Sequence, residues 1–104
     1  MLYLVSGELH SPGLLNLPHE EFVQLIRRVI GPSLELIVQH QEAGAIVAGG
    51  VPTGTQRVVM VADVKGDSHM AVRHLLAGLP VFSYYRWDVT PLESFREWLS
   101  SVKS

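Results

Sequence analysis

The sequence predicts an α+β fold: an antiparallel four-stranded sheet with two helices on one face, in the ferredoxin-like order β-α-β-β-α-β, plus a terminal helix. Three observations predict it. Two aliphatic runs, residues 45–52 and 56–64, meet at Pro52-Thr53-Gly54-Thr55, which is most simply an antiparallel hairpin. A long stretch of helical period separates that hairpin from an apolar run near the start of the chain. Finally, a second helix is closed by Gly78 and Pro80 and leads into Leu79–Leu92, which holds four of the eight aromatic residues.

Residues 2–9 read as the first strand, bounded by His10-Ser11-Pro12-Gly13. Pro18 suits a first helical position, and Glu20 and Glu21 oppose the positive end of the helix dipole. Apolar residues then recur at Phe22, Leu25, Ile26, Val29 and Ile37, and Gly44 is the expected stop. Gly31-Pro32 interrupts this helix, so a kink or two helical pieces are expected. The Gly49-Gly50 pair after the second run reads as a bulge or a close backbone approach, because it lacks the spacing of a phosphate loop. Asp67 is the expected N-cap of the second helix, which ends near Gly78. Residues 81–90 read as the fourth strand, and Pro91 as the start of a helix over residues 93–99. The whole chain, 1–104, is one domain.

Hydrophobic residues make up 47% of the chain and charged residues 17%, with a net charge of −2, which argues against disorder. Eight scattered Lys and Arg residues give no basic stripe, so nucleic acid is not an expected partner. There is no cysteine, hence no disulfide framework, thiolate metal site or cysteine nucleophile, and no metal-ligand spacing occurs. No segment approaches the roughly 20 apolar residues of a membrane helix. A soluble, cytoplasmic protein that needs no cofactor is the expectation. Val58-Val59-Met60-Val61-Ala62 is apolar on both sides, yet two helices cover only one sheet face. A second copy packed face to face is the expected cover, with the C-terminal helix as the alternative lid.

His40 shares a helix face with Phe22, Ile26, Val29, Ser33 and Ile37, so it is expected in the helix–sheet space. A neutral imidazole there can act as a base; the alternative is a structural histidine bonded to a backbone group. Tyr84 and Arg86 share one face of the expected last strand and Tyr85 and Trp87 the other. Tyr84 and Arg86 are candidates to orient a carboxylate or lactone oxygen, or else core and ion-pair residues. Ser33 is a further candidate for substrate contact. Glu8 is expected at an exposed strand end, and His69, Arg73 and His74 at the surface.

Four segments carry a resemblance: the Met1-Leu2-Tyr3 start, Gln41-Glu42-Ala43-Gly44, Val61-Ala62-Asp63-Val64 and, most specifically, Leu79-Pro80-Val81-Phe82-Ser83-Tyr84. Through them the chain resembles the muconolactone isomerase family of dimeric α+β barrels. The resemblance implies a homodimer able to build larger assemblies, and a cofactor-free isomerase that moves a proton between two carbons of an unsaturated lactone. Where that family carries an acid-containing run in helix one, this chain has Ile30-Gly31-Pro32-Ser33-Leu34, with Glu35 alone remaining. Strand two reads Ala45-Ile46-Val47-Ala48-Gly49-Gly50, and strand one offers Leu4 and Ser6 in place of ionisable groups. Three readings stand: an isomerase-like enzyme on a small lactone or enol, with His40 or Glu35 as base; a non-catalytic small-ligand-binding or scaffold barrel; and a cofactor-free monooxygenase-like barrel.

Overall fold

A computed structural model describes residues 1–10, 17–53, 55, 57–65 and 69–103. Its elements are β1 (Leu2–Leu9), α1 (His19–Leu25), a π-helical turn (Ile26–Ile30), α2 (Gly31–Glu42), β2 (Ile46–Gly50), β3 (Val58–Asp63), α3 (Met70–Ala77), a 3-10 turn (Phe82–Tyr84), β4 (Tyr85–Leu92) and α4 (Phe95–Lys103). The four strands form one antiparallel sheet in the order β2-β3-β1-β4. The ferredoxin-like arrangement is therefore present.

Side chains alternate across each strand, and the register sorts them into two faces. Tyr3 lies opposite Ala62 and Pro91, Val5 opposite Met60 and Val89, and Gly7 opposite Val58 and Trp87. This face is the core: Tyr3, Val5, Ile46, Met60, Ala62 and Trp87 are buried with Val72, Leu76, Leu79 and Val81. The other face carries Leu2, Leu4, Ser6 and Glu8 of β1, Val59 and Val61 of β3, and Arg86, Asp88 and Thr90 of β4. Leu4 there is exposed, whereas Leu2, Ser6, Val59 and Val61 are half-buried.

The helix does break at Gly31-Pro32, and the break is a π turn. The Gly31 N–H reaches back five residues to the Ile26 carbonyl, and Pro32, with no N–H to give, follows it. The wider turn rotates the helix upstream. Val23 and Leu25 become the half-buried residues, while Phe22 and Ile26 are exposed, contrary to the single continuous face expected. Beyond the π turn the expected face holds: Ser33 is buried and Ile37 and His40 are half-buried. Gly44, at φ +87°, ends the helix region in the left-handed conformation that a glycine takes without strain. A bulge between Ile46 and Ala48 brings β2 close to β3, and a Cβ on Gly49 would stand 2.7 Å from the Val59 carbonyl oxygen.

Both ends of β4 differ from expectation. Residues 81–84 are not strand: Phe82 N–H donates to Leu79 O at 2.9 Å and Tyr84 N–H to Val81 O at 2.9 Å, winding a 3-10 turn before β4. Pro91 does not open a helix but stays in β4, an edge strand, where a missing N–H is tolerated. The terminal helix begins at Phe95 behind a capping box, with Glu97 N–H on Ser94 Oγ and Ser94 N–H on Glu97 Oε2. Asp67, the expected cap of α3, lies outside the described residues.

Candidate functional site

Between α2 and the β2–β3 edge lies a groove of about 190 Å³. From the helix it takes Leu34, Ile37 and Gln41, which recur at one face of the α-helical period. From the sheet it takes Ile46, Gly49, Val58, Val59 and Met60, and Val51 just past β2. Gln41 is the single side chain in this lining with hydrogen-bonding capacity. Gly49 keeps the strand wall low, since a side chain there would run into β3.

His40 precedes Gln41 and stands on the inward arc of α2, about 60° round from Ile37 at the usual helical pitch. It is half-buried, and its carbonyl accepts the Ala45 N–H at 2.9 Å, which turns the chain into β2. Glu35 is exposed on the outer arc of the same helix. Ser33 sits about two turns from His40, toward the start of α2. Its hydroxyl donates to Val29 O at 2.7 Å and accepts from the Val81 N–H at 3.0 Å, fastening α2 to the turn after α3.

Tyr84 lies in that 3-10 turn, half-buried against the core, so Ser33 and Tyr84 share one end of the helix layer and His40 the other. Arg86 is on the opposite sheet face, exposed and paired in register with Glu8, whose carboxylate is held by Arg57. Tyr84 and Arg86 thus do not share a strand face, because the strand starts one residue after Tyr84. Tyr85 is instead the β4 tyrosine on the core face, with its ring 5.5 Å from that of Trp87. Burial pushes its hydroxyl pKa above the ordinary tyrosine value. The Trp87 Nε1–H donates to Phe82 O at 3.0 Å, which locks the indole under β1.

His69 and Arg73, expected at the surface, are exposed but border a second cleft of about 180 Å³ with Tyr3, Val89 and Pro91. The groove on α2 had one sequence signal, the Gly49-Gly50 pair in an otherwise aliphatic strand. Leu34 and Gln41 had none, because a helix interrupted by Pro32 does not announce which of its apolar arcs faces the sheet edge.

The muconolactone delta-isomerase family profile matches residues 1–97, which include every element that builds the groove. The chain belongs to that family. No curated protein sequence matches it. Among solved structures, the crystal structure of muconolactone isomerase at 3.3 Å resolution superposes with a TM-score of 0.69 over 90% of each chain, at 23% identity. That identity carries the α+β fold and not the activity. Among the described residues, no helix is long and apolar enough to cross a membrane.

Proposed function

We propose that this member of the muconolactone isomerase family holds a small, largely apolar unsaturated lactone or enol in the α2–β2 groove. It then moves a proton between two carbons of that ligand without a cofactor, with His40 as base. The observation that carries the reading is the half-buried position of His40 on the inward arc of α2, next in the chain to Gln41 of a groove whose own lining has no ionisable group. A neutral imidazole takes the proton from the carbon next to the lactone carbonyl, leaving a dienolate. The same proton returns at the far carbon as the double bond shifts. Gln41, with an amide N–H at the groove, supports the oxygen on which the charge develops. The aliphatic walls exclude water and leave the ligand little polar surface to satisfy. Glu35 faces outward, and Arg86 lies across the sheet, so neither is given a part in this step.

The test is turnover of a panel of unsaturated lactones by the wild type and by His40→Gln. The variant is expected to lose on the order of 10² or more in kcat while remaining folded. An unchanged rate in the folded variant would remove His40 as the base. A second reading, a binding protein without chemistry, is favoured by the apolar lining itself. It wins if lactones raise the melting temperature but none is converted.

Self-association belongs to the same proposal. Leu4, Val59 and Val61 give the open sheet face an apolar centre, and a second copy laid sheet to sheet covers it.

A further inference from the structure

The cleft of about 180 Å³ on the β4 side of the sheet differs from the α2 groove in charge. The groove lining has no ionisable side chain, whereas this cleft is lined by His69 and Arg73 together with Tyr3, Val89, Pro91 and Met1. The seating of α3 turns both basic residues the same way. With Val72 at zero and about 100° per residue, Leu76 falls at about 40°, His69 at about 60° and Arg73 at about 100°. Val72 and Leu76 are buried in the core, so His69 and Arg73 stand together on one flank, a helical turn apart.

No acid answers them. The cleft lining contains no carboxylate, and α3 has none. Asp63 and Asp88 lie in register with Leu2 and Ser6, on the other face of the sheet, and Asp63 holds the Met1 amino group at 3.3 Å. Neither His69 nor Arg73 has an ion-pair partner among the described residues. Tyr3 is the buried member of the lining, 1% exposed, and its hydroxyl donates to Met1 Sδ at 3.5 Å. A thioether is a weak acceptor, and a buried tyrosine hydroxyl usually has a better one.

We propose that this cleft binds the carboxylate of a small organic acid. An anion there supplies what the lining lacks: a charge against the Arg73 guanidinium and a strong acceptor for the Tyr3 hydroxyl. Arg73 offers its planar fork to the two carboxylate oxygens, and His69 and Tyr3 donate to the same group. Val89, Pro91 and the Met1 side chain pack on the apolar body of the acid. Those apolar walls offer no donors for the further oxygens of an inorganic anion, which is why the site fits a carboxylate. It is separate from the α2 groove, which lies at the β2 edge, and does not depend on the chemistry proposed there.

Benzoate is a suitable probe, with benzamide as its uncharged counterpart and inorganic phosphate as the competing anion. The reporter is the His69 ring in NMR spectra of the full chain, its signals assigned by their absence in His69→Gln. Benzoate is expected to move these signals saturably, benzamide to leave them in place, and phosphate to bind more weakly than benzoate. Arg73 is exposed, so Arg73→Gln keeps the fold, and it should weaken benzoate binding about tenfold or more. Tyr3→Phe keeps the ring and removes only the hydroxyl, and should weaken binding to a similar degree. His40→Gln should bind benzoate as the wild type does. Four results would overturn the proposal: no saturable shift with benzoate; equal binding of benzamide, which means an apolar cleft alone; tighter binding of phosphate; or unchanged benzoate affinity in Arg73→Gln or in folded Tyr3→Phe.

Discussion

Ser33 sits where α2 meets the turn after α3, with its hydrogen given to Val29 and its oxygen accepting from Val81. Alanine there leaves the buried Val81 N–H without a partner, and the expected loss is about 1–3 kcal/mol in urea unfolding. Gly7 is packed for a different reason: a Cβ would stand 2.7 Å from Trp87 Cζ3. Gly7→Ala must displace the indole and break its bond to Phe82, so a loss of about 1–3 kcal/mol is expected, with altered Trp fluorescence. Tyr85 gives a pH signature. Its pKa is raised by burial, so the unfolded chain loses this proton first as pH climbs. The stabilisation is complete below the ordinary tyrosine pKa of about 10 and is lost as pH rises through the higher folded value. Phenolate absorbance should show a titration above the ordinary tyrosine range that Tyr85→Phe removes. His40 was legible at this scale, since helical period alone puts it inward with Ser33 and Ile37. Tyr84 was not, because a 3-10 turn and a strand entry share the same aromatic, β-favouring composition.

At the scale of elements, strands were easier to read than joints. β1 fell on residues 2–9, because the run that begins with Leu2-Tyr3-Leu4-Val5 is bounded by the breakers His10-Ser11-Pro12-Gly13. The π turn was legible as a break at Gly31-Pro32 but not as a rotation, because sequence shows that a bond is missing and not which carbonyl is used instead. α4 was misplaced by reading Pro91 as a helix start, although Ser94 and Glu97 spell a capping box. Replacing Ser94 by Ala should lower the helical signal of the terminal segment and cost about 1 kcal/mol of local helix stability. Circular dichroism of the full chain, with hydrogen exchange at α4, checks it. The same substitution should leave the protection of β1 and β3 amides unchanged, because α4 covers none of the core.

For the whole molecule, the two-sided apolar character of β3 was legible in the sequence, while the exposure of the apolar residues of α4 needed the structure. A lysine at Val61 places a charge in the middle of the open face, and Val61→Lys is expected to leave the fold intact and lower the solution mass. Light scattering at micromolar concentration should give more than one 11.5 kDa chain for the wild type, and a smaller particle for the variant. Family and fold follow from the match over residues 1–97, whereas the proposed chemistry rests on one half-buried histidine next in the chain to Gln41 of an apolar groove. The most direct measurement of that chemistry is deuterium uptake by a bound unsaturated lactone in deuterated buffer near neutral pH, followed by NMR. Wild type should label the carbon next to the carbonyl and its vinylogous partner, and His40→Gln should slow that labelling on the order of 10² or more. A lactone that binds the wild type, shown by a raised melting temperature, yet takes up deuterium no faster than in buffer alone would contradict it.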